Sequence, residues 1–177
     1  MSENFSFPNL MSVINRFPQA RADIKGDFSH PNLNGTARFF QTQFGVVVIT
    51  EVMGLPSSNN NCQQPIFGYH IHEGSSCSGN ENDPFFDAGM HYNPNSCAHP
   101  FHAGDLPPLF GANQMAFSVV LTDRFTIDEI IGKTIIIHSK EDDFTTQPSG
   151  NVGSKIACGE IKAYQRPLSM MFKKKQM

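Results

Sequence analysis

Between residues 20 and 164 the chain runs in short apolar bursts that alternate in part with polar residues and break at Gly, Pro, Asn and Asp. ARADIKGD (20–27), GTARFFQTQ (35–43) and VVVITEVMGL (46–55) are β-branched or aromatic runs of this kind. A period of two sends successive side chains to opposite faces, so the three read as antiparallel strands. IFGYHIHE (66–73), MAFSVVLT (115–122), KTIIIHS (133–139) and KIACGEIKAY (155–164) extend the series to at least seven. TIDEIIG (126–132) fits a helical turn or a short strand. No segment is long enough for the crossover helices of a parallel sheet, so the pattern predicts an all-β Greek-key barrel or sandwich.

Two stretches interrupt the rhythm. Residues 74–114 and 139–154 are rich in Gly, Ser, Asn, Asp and Pro. Compact domains keep connections beyond about 15 residues mainly for function, so the chemistry is expected there. Residues 1–18 form an N-terminal extension and 165–177 a tail, leaving 19–164 as the folded domain, and there is no internal repeat.

Composition narrows the class further. A chain of 177 residues buries roughly 70% of its unfolded surface and needs no staple merely to fold. Charged residues make up 16%, well below the usual value of about 25%, which excludes a helical bundle or coiled coil. A net charge of −3 gives no overall attraction to nucleic acid or to an anionic membrane. The lysines of the tail read as a solvated end. No apolar run reaches membrane-spanning length, and the N-terminus lacks the basic and apolar regions of a secretory signal, so the residues leave a cytoplasmic place, or an extracytoplasmic one after removal of a leader, both open. Cys62, Cys77, Cys97 and Cys158 fit a disulfide, a soft-metal site or buried thiols equally well.

Six of the seven histidines lie between positions 70 and 138. His70 and His72 are two apart on a predicted strand and so share a face. His99, His102 and Asp105 form H-x-x-H-x-x-D in an irregular segment, with His91 upstream. Such a nitrogen and carboxylate set suits a tetrahedral zinc ion. His138 closes the apolar run TIIIH, where a buried imidazole needs a hydrogen bond or a metal. Imidazole also serves Cu, Fe and Ni. Six imidazoles and a carboxylate exceed one four-coordinate ion, which points to two adjacent ions.

GYHIHE, GMHYNP, HAGDLP, IIIHSKEDD and GNVGSKIACG resemble, in order, the signature segments of copper-zinc superoxide dismutases, above all the bacterial branch. The resemblance spans about residues 19–164 and implies an eight-stranded antiparallel Greek-key barrel with two long functional loops. It implies that His70, His72, His91 and His138 bind copper. His91, His99, His102 and Asp105 would bind zinc, with His91 bridging the two metals and carrying a proton in catalysis. Asp142 would link the copper and zinc histidines, and Cys77 and Cys158 would form the disulfide. Cys62 and Cys97 match nothing in the family pattern and are expected to be free buried thiols.

Two departures stand out. The step from His99 to His102 is short, so zinc is expected to bind less tightly than copper. Lys155 stands where the family has arginine, keeping the positive charge near copper but losing the two-pronged donor geometry. The implied activity is disproportionation of superoxide to dioxygen and hydrogen peroxide, attenuated by Lys155. The alternative is a metal-binding protein of the same fold with little turnover. Superoxide is the only partner implied, with no nucleic acid and no membrane, and the residues leave monomer and homodimer both open.

Overall fold

The computed structural model describes residues 7–58 and 65–165. Cys62 and the lysine run of the tail lie outside them. The strands are β1 (Ala20–Gly26), β2 (Asn34–Thr42), β3 (Gly45–Met53), β4 (Ile66–His72), β5 (Asp105–Phe110), β6 (Met115–Thr122), β7 (Thr134–His138), β8 (Lys155–Glu160) and the two-residue β9 (Lys162–Ala163). Eight of them run in the order β5-β4-β7-β8-β1-β2-β3-β6, all antiparallel, with β9 added on β1. β5 and β6, the two ends of this order, lie against each other and nearly close the barrel. The expected eight-stranded Greek-key architecture is what the chain adopts.

Alternation explains the packing. Phe67, Tyr69 and Ile71 of β4 point into the barrel with Ile135 and Ile137 of β7, Phe39 of β2 and Val46 and Val48 of β3. His70 and His72 occupy the opposite face of β4, yet every residue from Phe67 to His72 is buried. The two long loops cover that outer face and make a second buried layer. Its apolar part is Phe85, Ala88, Ile136 and Cys158, with Cys77 against them. The disulfide Cys77–Cys158 joins the first long loop to β8 across 81 residues.

Three expectations need correction. Residues 74–114 are not one connection: they contain β5, an edge strand that Pro107 and Pro108 make look like loop in the sequence. The run 155–164 is broken at Ile161 into β8 and β9. Cys97 is free but exposed, so it is not a buried thiol. TIDEIIG resolves to a single helical turn, α2 (Ile127–Ile130), with a reciprocal capping box between Thr126 and Glu129. Ahead of the barrel, α1 (Phe7–Ile14) lays Leu10, Val13 and Ile14 on Phe40, Val47 and Ile49, the outer face of β2 and β3.

Candidate metal centre

β4 and β7 pair with Tyr69 opposite Ile137 and His70 opposite Ile136. That register brings the outward histidines of β4 beside His138 at the end of β7, with His72 Nε2 3.2 Å from His138 Nε2. The first long loop is stitched onto the edge of β4 by Tyr92 N–H to Ile71 O at 2.8 Å and Ile71 N–H to Gly104 O at 2.9 Å. An isolated bridge pairs His91 with His72. Two groups of buried side chains result: His70, His72, His91 and His138, and His91, His99, His102 and Asp105. Within each, every residue offers one atom that could ligate a metal, and these atoms lie within 4.8 Å of one another. The two groups share His91.

The second group is slightly tighter than a filled tetrahedral cation cage. Four ligands at about 2.0 to 2.2 Å around a tetrahedral ion stand about 3.3 to 3.6 Å apart. His91 Nδ1 and His102 Nδ1 are 3.4 Å apart, His102 Nδ1 and Asp105 Oδ2 3.2 Å, and His99 Nδ1 and Asp105 Oδ2 3.1 Å. His91 Nδ1 is 2.7 Å from Asp105 Oδ1. The step of three residues from His99 to His102 does not pull these ligands out of reach of one another.

Unpartnered nitrogens point the same way. His70 Nδ1, His91 Nε2, His99 Nδ1 and His138 Nδ1 are buried without a hydrogen bond. A buried polar atom left without a partner costs about 1 to 3 kcal/mol, and four in one cluster demand a common explanation. Metal coordination supplies one, and an all-imidazole group beside a mixed imidazole and carboxylate group suits copper beside zinc.

The rest of each ring is held. His70 Nε2 meets Asp142 Oδ2 at 2.8 Å, and His99 Nε2 meets Asp142 Oδ1 at 2.9 Å, so one carboxylate spans both groups. His72 Nδ1–H donates to the carbonyl of Gly89 at 2.9 Å. Such contacts fix which nitrogen carries the proton and which presents its lone pair. Electrostatics favour neutral rings. Burial lowers His70 to about 4, against the hydrogen bond to Asp142. Burial and the neighbouring histidines and Lys155 hold His72 and His138 well below the usual imidazole range. For Asp142 burial works upward, but hydrogen bonds from His70, the Phe144 amide and His99 prevail and bring it to about 2.

Lys155 begins β8 opposite His138. It lines a cavity of about 310 Å³ together with His72, His91, His138, Gly153 and Asp83. Its ammonium is paired with Asp83 Oδ2 at 2.5 Å.

Several supporting residues carry no signal in the sequence. Arg124 Nη1 donates to the carbonyls of Pro100, His102 and Asp105 at 3.1 to 3.3 Å, gathering the loop that bears the second group. Gln147 grips the backbone of His99 from both sides, accepting from its N–H at 3.0 Å and donating to its carbonyl at 2.7 Å. Both act on backbone from far along the chain, and no local motif marks either one. Asp83 is also new; its only local mark is the turn sequence NDP.

Residues 33–161 match the family model described as copper/zinc superoxide dismutase. The chain is 35% identical over 142 residues to "Superoxide dismutase [Cu-Zn]" of Photobacterium leiognathi, covering 72% of this chain and 78% of that protein. It is 29% identical to the protein of the same name from Deinococcus radiodurans, over 82% of this chain and 85% of that one. For Legionella pneumophila the identity is 32%, with 72% and 77% covered. With the ligand groups on the outer face of an antiparallel barrel and more than half its length matched, the chain belongs to the copper/zinc superoxide dismutase family.

Proposed function

We propose that this protein disproportionates superoxide to dioxygen and hydrogen peroxide. Copper would be held by His70, His72, His91 and His138, and zinc by His91, His99, His102 and Asp105. The observation that carries the reading is the sharing of His91 between two buried ligand groups that Asp142 also ties together. Copper, when bound, offers a one-electron couple that takes an electron from one superoxide and returns it to a second.

The chain's own groups do the remaining work. His91 belongs to both groups, with Nδ1 beside Asp105 and His102 and Nε2 buried without a hydrogen-bond partner and so free to serve the copper-type group. It is therefore the ring suited to hold a proton at Nε2 and give it to the second superoxide as that is reduced, the other proton of hydrogen peroxide coming from water. Asp142 keeps His70 and His99 oriented through their Nε2 atoms. Lys155, which lines the same cavity as His72, His91 and His138, is the cation suited to attract and align a small anion. Disulfide Cys77–Cys158 anchors the loop that forms one wall of that cavity.

A second reading, a metal-binding protein with little turnover, is favoured by one observation: the single lysine at the cavity is already paired with Asp83. Elemental analysis after reconstitution and dialysis, beside a superoxide assay, separates the two. The enzyme reading expects one retained copper per chain with activity proportional to it. Loss of copper on dialysis overturns that reading, and full copper without turnover replaces it with the second.

A further inference from the structure

The ion pair in the lining of this cavity is built, not incidental. Lys155 and Asp83 have side chains only 16% and 32% exposed, and they approach to 2.5 Å from positions 72 residues apart. Asp83 cannot swing away freely. Its Oδ1 accepts the Phe85 N–H at 3.1 Å, while its backbone carbonyl accepts from Asn80 at 2.9 Å and Phe86 at 3.1 Å. The Asn80 side chain in turn accepts the Asp83 N–H at 3.1 Å. Phe85 is buried against Ala88, Ile136 and Cys158, so the disulfide-tied layer holds the carboxylate in place.

An ammonium and a carboxylate in contact present no net charge to a distant anion. A small anion arriving at the cavity meets a dipole whose positive end is already solvated by the protein. It must share or displace Asp83 to gain the full attraction of Lys155. We propose that Asp83 is a specificity-determining residue of this site: a resident carboxylate that competes with incoming anions for Lys155 and thereby sets how strongly any small anion is drawn toward the copper-type histidines. This rests on the reading that His70, His72, His91 and His138 hold copper.

The test uses the metal-loaded protein with azide as the probe anion, its binding followed by the change in the Cu(II) absorption and electron-spin spectra. Asp83→Asn keeps an acceptor for the Phe85 amide and removes the charge. Azide should then bind about three- to tenfold more tightly, as expected for releasing one screened charge a few ångströms away. The rate constant with superoxide should rise by a similar factor and depend more steeply on ionic strength, since screening acts on net charge. In the pair Asp83→Asn with Lys155→Met, the gain should vanish. Asp83→Ser, whose hydroxyl can also accept from the Phe85 amide, serves if the first variant folds poorly.

Unchanged or weakened azide affinity in a variant with wild-type copper content and an intact disulfide overturns the proposal, because Asp83 would then only position Lys155. A wild-type protein that holds no copper, or whose copper spectrum ignores azide, overturns the copper reading instead.

Discussion

Gly150 stands so close to Asp142 that a Cβ on residue 150 would overlap the carboxylate Oδ1, with His99 Nε2 next in line. Its φ of +75° lies in the left-handed region, which disfavours a side chain in any case. The second long loop therefore needs glycine here to let one carboxylate reach both ligand groups. Gly150→Ala should push Asp142 off His70 and His99 together. Losing such an outer contact costs about 10- to 100-fold in metal affinity, and here both metals should weaken at once. Chelator competition read separately for copper and zinc checks it; weakening of one metal alone would mean that Asp142 does not couple them.

Acid should destabilise the metal-free protein early. Unfolded histidine titrates near 6.5, whereas folded His70 is held at about 4 by burial and His72 and His138 are also displaced downward. Between those values the unfolded chain binds more protons than the folded one. Stability is therefore fully present above about 6.5 and falls as pH drops toward 4. Asp142, lowered from 3.8 to about 2, adds a loss in the same direction at still lower pH. Thermal unfolding of the metal-free protein at pH 7.5, 5.5 and 4.5 should give steadily falling midpoints. A midpoint unchanged from 7.5 to 5.5 would show that the rings are not held neutral.

The disulfide should matter well beyond its own contacts. It closes a loop of 81 residues, which the chain-entropy account values at about 4.5 kcal/mol. For a domain of this size that corresponds to roughly 10 to 15 °C in Tm. Reduction, or Cys158→Ala, should lower the midpoint by an amount of that order. Peptide mapping without reductant should recover Cys77 with Cys158, and Cys97→Ser, at an exposed position, should leave stability within about 0.5 kcal/mol. Recovery of Cys77 joined to another cysteine would contradict the pairing.

Lys155→Arg offers a different gain from removal of Asp83. A guanidinium can hold the Asp83 carboxylate with one edge and still present parallel N–H groups to an incoming anion, which an ammonium cannot. The rate constant with superoxide should rise in Lys155→Arg and fall in Lys155→Ala, with copper content equal in all three proteins because Lys155 lies outside both ligand groups. Equal rates across the series would assign the attraction to another cation.

That these histidines cluster is legible because two regularities coincide in the sequence, while their division into two sets follows from the family resemblance. The alternation in FGYHIH sends tyrosine and isoleucine inward and both histidines outward, and the spacing of His99, His102 and Asp105 keeps three candidate ligands within the short segment that leads into β5. β5 was hidden by Pro107 and Pro108, which read as loop. The strand accommodates them where its register with β4 shifts, between the pairs Phe67 with Leu109 and Tyr69 with Leu106. Pairings such as Asp83 with Lys155, or Arg124 with the carbonyls of Pro100, His102 and Asp105, depend on three-dimensional closure of distant segments. Nothing local encodes them. The exposure of Cys97 escaped for a similar reason: Asn93 binds its backbone on both sides and fixes the turn that faces it outward.

Helix α1 has a consequence for handling the protein. It shields Phe40, Val47 and Ile49, and directly across the sheet Leu121 pairs with Val47 and Val119 with Ile49. Those two β6 residues are 40% and 41% exposed. The helix thus roofs one half of a greasy strip whose other half is open to water. A version trimmed to begin at Pro18 would merge the halves into one larger sticky surface of the kind that drives self-association. Helix α1 is therefore expected to guard against self-association, and light scattering of the trimmed chain against concentration should register its loss as reversible clustering with metal content unchanged.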